Sequence, residues 1–172
     1  EKKVASDGLQ FAANLPGDAG ARRINAKFSR WDQTSRLAVD LSSLAAEGSS
    51  DIKLSGGSED TVLLNLQQSF DTSPLLGSAG RVIPLESVEN HVRLDLTALG
   101  EAVTGLLPEE VAVNGTFETQ DSVRRTSAGG WTIDGQTKLA AKLDSPRIGS
   151  PLPLQLQGER QIKMAAVTGT TL

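Results

Sequence analysis

The chain has 172 residues, enough for one substantial core, with a formal net charge of −4, no cysteine and one histidine. The negative balance argues against nucleic acid or an anionic membrane surface as a partner, because both attract clustered Lys and Arg. Only 3% of the residues are aromatic and none is Tyr, so few anchors exist for a sugar or nucleotide pocket.

Alternating apolar and polar residues predict β-strands from close to the N-terminus onward. Residues 1–8 are polar and unpatterned, which predicts a flexible arm. The first predicted strand follows, with its apolar positions at Leu9, Phe11, Ala13 and Leu15. Strands are predicted next at residues 24–28 and 37–41, and Trp31 falls in a polar connection between them.

The later strands are separated by loops and by one helix. Residues 55–60 predict a hairpin loop. Residues 69–80 show no hydrophobic periodicity, which predicts a long connection. A helix is predicted from Thr97, its cap, to Leu107, because Pro108 blocks continuation. The remaining strands are predicted around residues 52–54, 62–66, 82–85, 92–96, 111–117, 131–143, 152–156 and 162–164.

The longest alternation runs from Trp131 to Leu143 and predicts a central strand with one apolar and one polar face. Gly135 and Thr137 stand on its apolar side as small groups. We therefore expect the core to be thin at this place, where another strand or an acyl chain could lie close.

Together these patterns predict an all-β, mostly antiparallel fold: an immunoglobulin-like or jelly-roll sandwich of about ten strands with one short helix. Residues 9–167 are predicted to form a single domain, followed by a polar tail at 168–172. No apolar run approaches the roughly 18 residues of a membrane-spanning helix. The sequence starts at Glu1 rather than Met, as a mature exported protein would, which predicts an extracytoplasmic location at the cell surface or in the periplasm.

No residue pattern predicts catalysis, a metal site or a cofactor. His91 is the single histidine and has no second imidazole or thiol to share a metal, so a solvent-facing position is predicted. The serines lack a Gly-x-Ser-x-Gly elbow, and the acidic clusters lack the spacing of a calcium loop. The sequence therefore predicts a protein that is not an enzyme and binds no cofactor.

The order of several features resembles the cysteine-free pilins of the class 5 chaperone-usher family. The resemblance lies in residues 1–2, 64–66, 74–75, 83–85, 137–139, 144 and 157–158, ahead of a final apolar strand. It implies a structural subunit of a surface filament, with an incomplete immunoglobulin-like sandwich completed by the N-terminal strand of the next subunit. Leu9, Phe11, Ala13 and Leu15 would then be the donor residues, and the partners would be further copies or neighbouring filament subunits.

A second interpretation rests on the repeated Leu-rich pattern at residues 37–44 and 92–99. This pattern is similar to segments of periplasmic bridge and secretion-accessory proteins, including the minor component N of type II secretion and lipid-conducting bridge proteins. The similarity implies a curved sheet with an apolar face that carries lipid chains or packs in an envelope complex. A small hydrolase or isomerase has the least support.

Overall fold

The computed structural model describes residues 2–15, 22–57, 60–74, 85–105, 107–108 and 110–165. The predicted strand positions 82–84 and the predicted tail at 168–172 lie outside these residues. The secondary structure, in chain order, is β1 Lys2–Leu15, β2 Arg22–Asp40, β3 Ala45–Gly56, β4 Thr61–Thr72, β5 Leu85–Asp95, α1 Leu96–Ala102, β6 Val103–Thr104, β7 Ala112–Arg125, β8 Trp131–Asp144 and β9 Leu152–Met164.

The strands form one nine-stranded sheet in which, apart from β6, consecutive strands are neighbours in space. The order is β1-β2-β3-β4-β5-β7-β8-β9, every pairing is antiparallel, and the short β6 pairs with β2 beyond the end of β3. The predicted all-β antiparallel fold with one short helix is confirmed. Its division into two facing layers stays a prediction.

Several strands are longer than the sequence predicts. Trp31 lies inside β2, opposite Leu54 of β3, so the predicted strands at 24–28 and 37–41 are parts of one strand. The polar run after Trp31 is accommodated because its side chains are divided between the two faces of the sheet. Similarly, β1 begins at Lys2, so residues 2–8 belong to the first strand, and β4 continues to Thr72.

The helix begins two residues earlier and ends sooner than predicted. Asp95, rather than Thr97, is its N-cap, since the Asp95 Oδ1 atom accepts from the Thr97 and Ala98 amides at 2.9 and 3.0 Å. The Thr97 hydroxyl instead accepts from the Gly115 amide of β7 at 3.1 Å. The helix ends at Ala102, where the chain turns into β6 and pairs with β2.

The core lies at the end of the sheet that α1 covers. Leu63 of β4 is 1% exposed and packs with Ala98 and Ala102 of the helix, and Phe28, Leu54, Leu64, Leu99 and Val103 surround this cluster. Away from the helix several large apolar side chains of the sheet are exposed, among them Leu37, Leu156 and Ile162.

Candidate functional site

The strand registers sort apolar and polar side chains onto opposite faces of the sheet. Phe117, Leu139 and Leu156 stand side by side on β7, β8 and β9, and the neighbouring positions Glu118, Lys138 and Gln157 stand side by side on the other face. We call these the apolar face and the polar face. The same separation holds across the sheet as far as β2.

On the apolar face, side chains line up in rows that cross the strands. The first apolar row takes one residue from each of seven strands: Trp31, Leu54, Leu64, Leu94, Phe117, Leu139 and Leu156. The second apolar row, nearer the other end of the strands, consists of Leu37, Gly48, Phe70, Val88, Val123, Ile133 and Ile162. A Cβ on Gly48 would overlap the Phe70 ring, so the ring covers the gap in this row.

Both rows are accessible in part. Leu37 is 65% exposed and Leu156 is 57% exposed, and Trp31, Phe70 and Ile162 also belong to the exposed large apolar residues. The other members are half-buried, and Leu54 and Leu64 of the first row pack against the core cluster beside α1. Six spacings between neighbouring strands, at about 4.8 Å each, make each row about 29 Å long. Several large apolar side chains exposed on one face are typical of an interaction surface.

A polar row runs between the two apolar rows on the same face. It consists of Ser35, Ser50, Gln68, Asn90, Asp121, Gly135 and Arg160, all in register. Most of these side chains satisfy one another: the Ser35 and Ser50 hydroxyls lie 3.2 Å apart, and the Gln68 amide donates to Asn90 at 3.0 Å. Arg160 donates to Asp121.

Arg160 is held by three polar side chains, those of Thr119, Asp121 and Thr137, and we call these four residues the polar centre. Its guanidinium donates to the Thr137 hydroxyl at 2.9 Å and to the Thr119 hydroxyl at 3.2 Å, in addition to Asp121. Gly135 lies between Asp121 and Arg160, and a Cβ there would approach the Arg160 Nε to 2.6 Å. The thin place predicted at Gly135 is thus filled by the side chain of Arg160.

The polar face carries the histidine and several open depressions. His91 Nε2 lies 2.6 Å from Glu118 Oε1, with the two side chains 37% and 46% exposed. A depression of about 540 Å³ extends from Lys3 of β1 to Gln120 of β7 and includes Asp51 and His91 in its lining. The described lining is polar.

Asp40, a carboxylate with a large pKa shift, lies in the turn that leads to β3. The Ser43 hydroxyl donates to its Oδ2 atom, and the Ser42 hydroxyl and amide donate to its Oδ1 atom, at 2.7, 2.7 and 2.9 Å. These hydrogen bonds stabilise the charged form and lower the pKa of Asp40 to about 2. The arrangement stabilises a turn.

The predicted donor residues lie in β1 and pair with the same chain. Leu9, Phe11, Ala13 and Leu15 stand opposite Phe28, Ala26, Ile24 and Arg22 of β2. They are separate from the two apolar rows, which begin at β2. The rows were missed by sequence reasoning because a row depends on the register of seven strands. The sequence did contain one sign of the polar row. In several strands a polar residue, such as Asn90 or Asp121, stands at a position where alternation would place an apolar one.

Across the described ranges, no three potential metal-ligating side chains come together in a way that could hold an ion. Nor does any described helix combine the length and the apolar content required to cross a membrane. Comparison of the chain with protein-family models, with curated proteins and with solved structures gives no significant match. The interpretation of the site therefore depends on its own geometry.

Proposed function

We propose that this chain is a non-enzymatic envelope module that binds the acyl chains of lipids on its apolar face. The observation that supports this most is the first apolar row, from Trp31 on β2 to Leu156 on β9. The proposal includes an extracytoplasmic location, where such a face would meet envelope lipid. It corresponds to the bridge-type interpretation of the sequence.

The dimensions of the row suit an acyl chain. The hydrocarbon core of a bilayer is about 30 Å thick, so the acyl chain of one leaflet extends over about 15 Å. A row of about 29 Å is longer than one such chain. No charged side chain belongs to either apolar row, and the exposed members, such as Leu37, Leu156 and Ile162, offer carbon atoms to such a chain.

The composition of the face also favours lipid over a specific protein partner. Leu, Ile and Val supply most of its apolar positions, and the two apolar rows contain three aromatic residues: Trp31, Phe70 and Phe117. Protein interfaces usually depend on Trp, Tyr and Arg anchors that fill pockets. Burial of apolar area is not directional, so a surface of branched aliphatic side chains can bind flexible hydrocarbon.

Native mass spectrometry of protein purified with envelope lipids would test this proposal. We expect bound lipid on the wild-type chain and strongly reduced lipid on Leu139→Asp, which introduces a charge into the first apolar row one strand in from its β9 end. Lys138→Asp, one position away on the polar face, is the matched control and should retain lipid. Wild-type protein that carries no lipid in any of several mild detergents would contradict the proposal.

A second candidate function, a filament subunit, has one observation in its favour. Within the described residues, no strand pairs with the outer edge of β1 or of β9. Long unpaired edges are templates for another strand, and β1 and β9 run in opposite directions, so β9 of one copy could extend antiparallel onto β1 of the next. For donor-strand exchange instead, residues 9–15 would have to leave β2.

Analytical ultracentrifugation over a range of concentrations separates the two candidates. A filament subunit should form a ladder of oligomers that deletion of residues 1–16 abolishes. The deleted chain should then bind a peptide of residues 1–16, because β2 has lost its neighbour. A wild-type protein that stays monomeric at every concentration would exclude the filament function and leave the lipid function standing.

A further inference from the structure

The two apolar rows are separated by polar side chains that a surface for hydrocarbon alone does not need. One same-face step along a strand is about 7 Å, so the polar row lies about 7 Å from the second apolar row and about 13 Å from the first. The positions in between are Gln33 on β2, Ile52, Leu66 and Val92 on β3, β4 and β5, and Thr119, Thr137 and Gly158 on β7, β8 and β9. The polar strip is therefore narrow in the middle of the sheet and wider at β2 and at β7 to β9, and only the β7 to β9 side carries Arg160.

We propose that the polar centre on β7, β8 and β9 binds the phosphate of a glycerophospholipid whose acyl chains lie on the adjoining apolar rows. This inference rests on the proposed lipid-binding function and specifies the class of lipid. Leu139 and Leu156 border the polar centre on one side, and Ile133 and Ile162 border it on the other. A polar headgroup with hydrocarbon attached to it matches this alternation of surfaces.

Arg160 supplies the positive charge of the site. A guanidinium has five N–H donors in a planar fork that suits phosphate oxygens. Two terminal nitrogens of Arg160 already donate to Thr137, Thr119 and Asp121, which fixes the orientation of the group on the face. Its side chain remains 41% exposed, so an anionic oxygen can reach it without breaking the sheet.

The two threonines and Asp121 determine what else the site accepts. The Thr119 and Thr137 hydroxyls lie 3.3 Å apart, and each accepts a hydrogen bond from Arg160. Asp121 partly neutralises Arg160, which favours a headgroup with hydrogen-bond donors beside its phosphate. Phosphatidylglycerol, with its two hydroxyls next to the phosphate, is the probe that fits this description.

Binding to phosphatidylglycerol and to diacylglycerol with the same acyl chains tests the inference, because only the first lipid has a phosphate. We expect the full-length wild-type chain to retain at least tenfold more phosphatidylglycerol than diacylglycerol in native mass spectrometry. Arg160→Gln should lose this preference and still bind diacylglycerol. Lys163→Gln, on the same strand but on the polar face, removes an equal charge and should keep the preference.

The outcomes distinguish the inference from the function on which it depends. Equal retention of the two lipids by the wild-type chain, or an unchanged preference in Arg160→Gln, would overturn the phosphate site while acyl-chain binding stands. Retention of neither lipid would overturn the proposed function itself. Circular dichroism of each variant establishes that the sheet is intact, and Arg160→Lys, which keeps the charge without the fork, should show an intermediate preference if Arg160→Gln unfolds.

Discussion

Arg160 on β9 donates to Asp121 on β7 across the intervening strand β8, over the single glycine of the polar row, Gly135. The bond spans two strand spacings on one face of the sheet. A side chain at position 135, which lies between the two residues, would obstruct it. It couples the edge strand β9 to the interior strand β7 and fixes the group on which the proposed phosphate site depends.

Substituting Gly135 by alanine should destabilise the fold by about 1–3 kcal/mol, because the added methyl group overlaps Arg160 and Asp121. Urea unfolding monitored by circular dichroism measures the change. Gly158→Ala is the matched control, since a Cβ at Gly158 meets nothing within 4 Å. Equal unfolding midpoints for the two variants would show that the crossing contact has no structural importance.

Leucines on this sheet should differ sharply in their contribution to stability. Leu63→Ala removes the most buried side chain, at 1% exposure, and should cost about 2–5 kcal/mol through lost burial and the cavity left behind. Leu37→Ala, at 65% exposure, should change the free energy of unfolding by less than about 0.5 kcal/mol. A large loss at Leu37 would mean that this end of the second apolar row is covered in the isolated protein, contrary to the exposure of Leu37 in the structure.

The N-cap of α1 should depend on Asp95. Asp95→Ala removes the acceptor of the Thr97 and Ala98 amides and should cost about 1 kcal/mol in urea unfolding, whereas Asp95→Ser should restore most of the stability. The helix carries Ala98 and Ala102 into the core, so the loss should extend to the tertiary structure. If Asp95→Ala and the wild type unfold at the same urea concentration, the capping interaction contributes nothing.

The turn at Asp40 should make stability depend on pH in the acid range. Its pKa is lowered from 3.8 to about 2, so its contribution is fully present above pH 3.8 and is lost as the pH falls through about 2. We expect Asp40→Asn to be less stable than the wild type at pH 6 and indistinguishable from it near pH 2. In an NMR titration, the Asp40 pKa should move upward in Ser43→Ala, which removes a hydroxyl donor to Oδ2. An unchanged pKa in that variant would contradict the assignment.

Period-two alternation carried most of the information about the strands. The segment from Trp131 to Leu143 was predicted as one long strand, and β8 runs from Trp131 to Asp144. The errors came where the residues pointing to both faces of a strand are polar, so that no alternation is visible in the sequence. The run after Trp31 was predicted as a connection for this reason, yet β2 continues through it. The reason is that Gln33 and Ser35 occupy the apolar face, where the polar strip crosses the sheet.

The cap of the helix shows the limit of local reasoning in another way. Both Asp95 and Thr97 are residues that can cap a helix, and Thr97 was predicted. In the structure Thr97 accepts a hydrogen bond from Gly115, eighteen positions along the chain, which leaves the capping position to Asp95. A contact at that separation could not be read from the residues beside the helix.

The sequence by itself determined the strand-rich class, the single short helix and the presence of an apolar and a polar side on each strand, because side-chain alternation is a local property of extended backbone. Only the tertiary structure decided that Leu139 aligns with Phe117 and Leu156, and that Asp121, Gly135 and Arg160 meet in one polar row. Rows across a sheet are set by register, and a shift of one residue in any strand would move its apolar set to the opposite face.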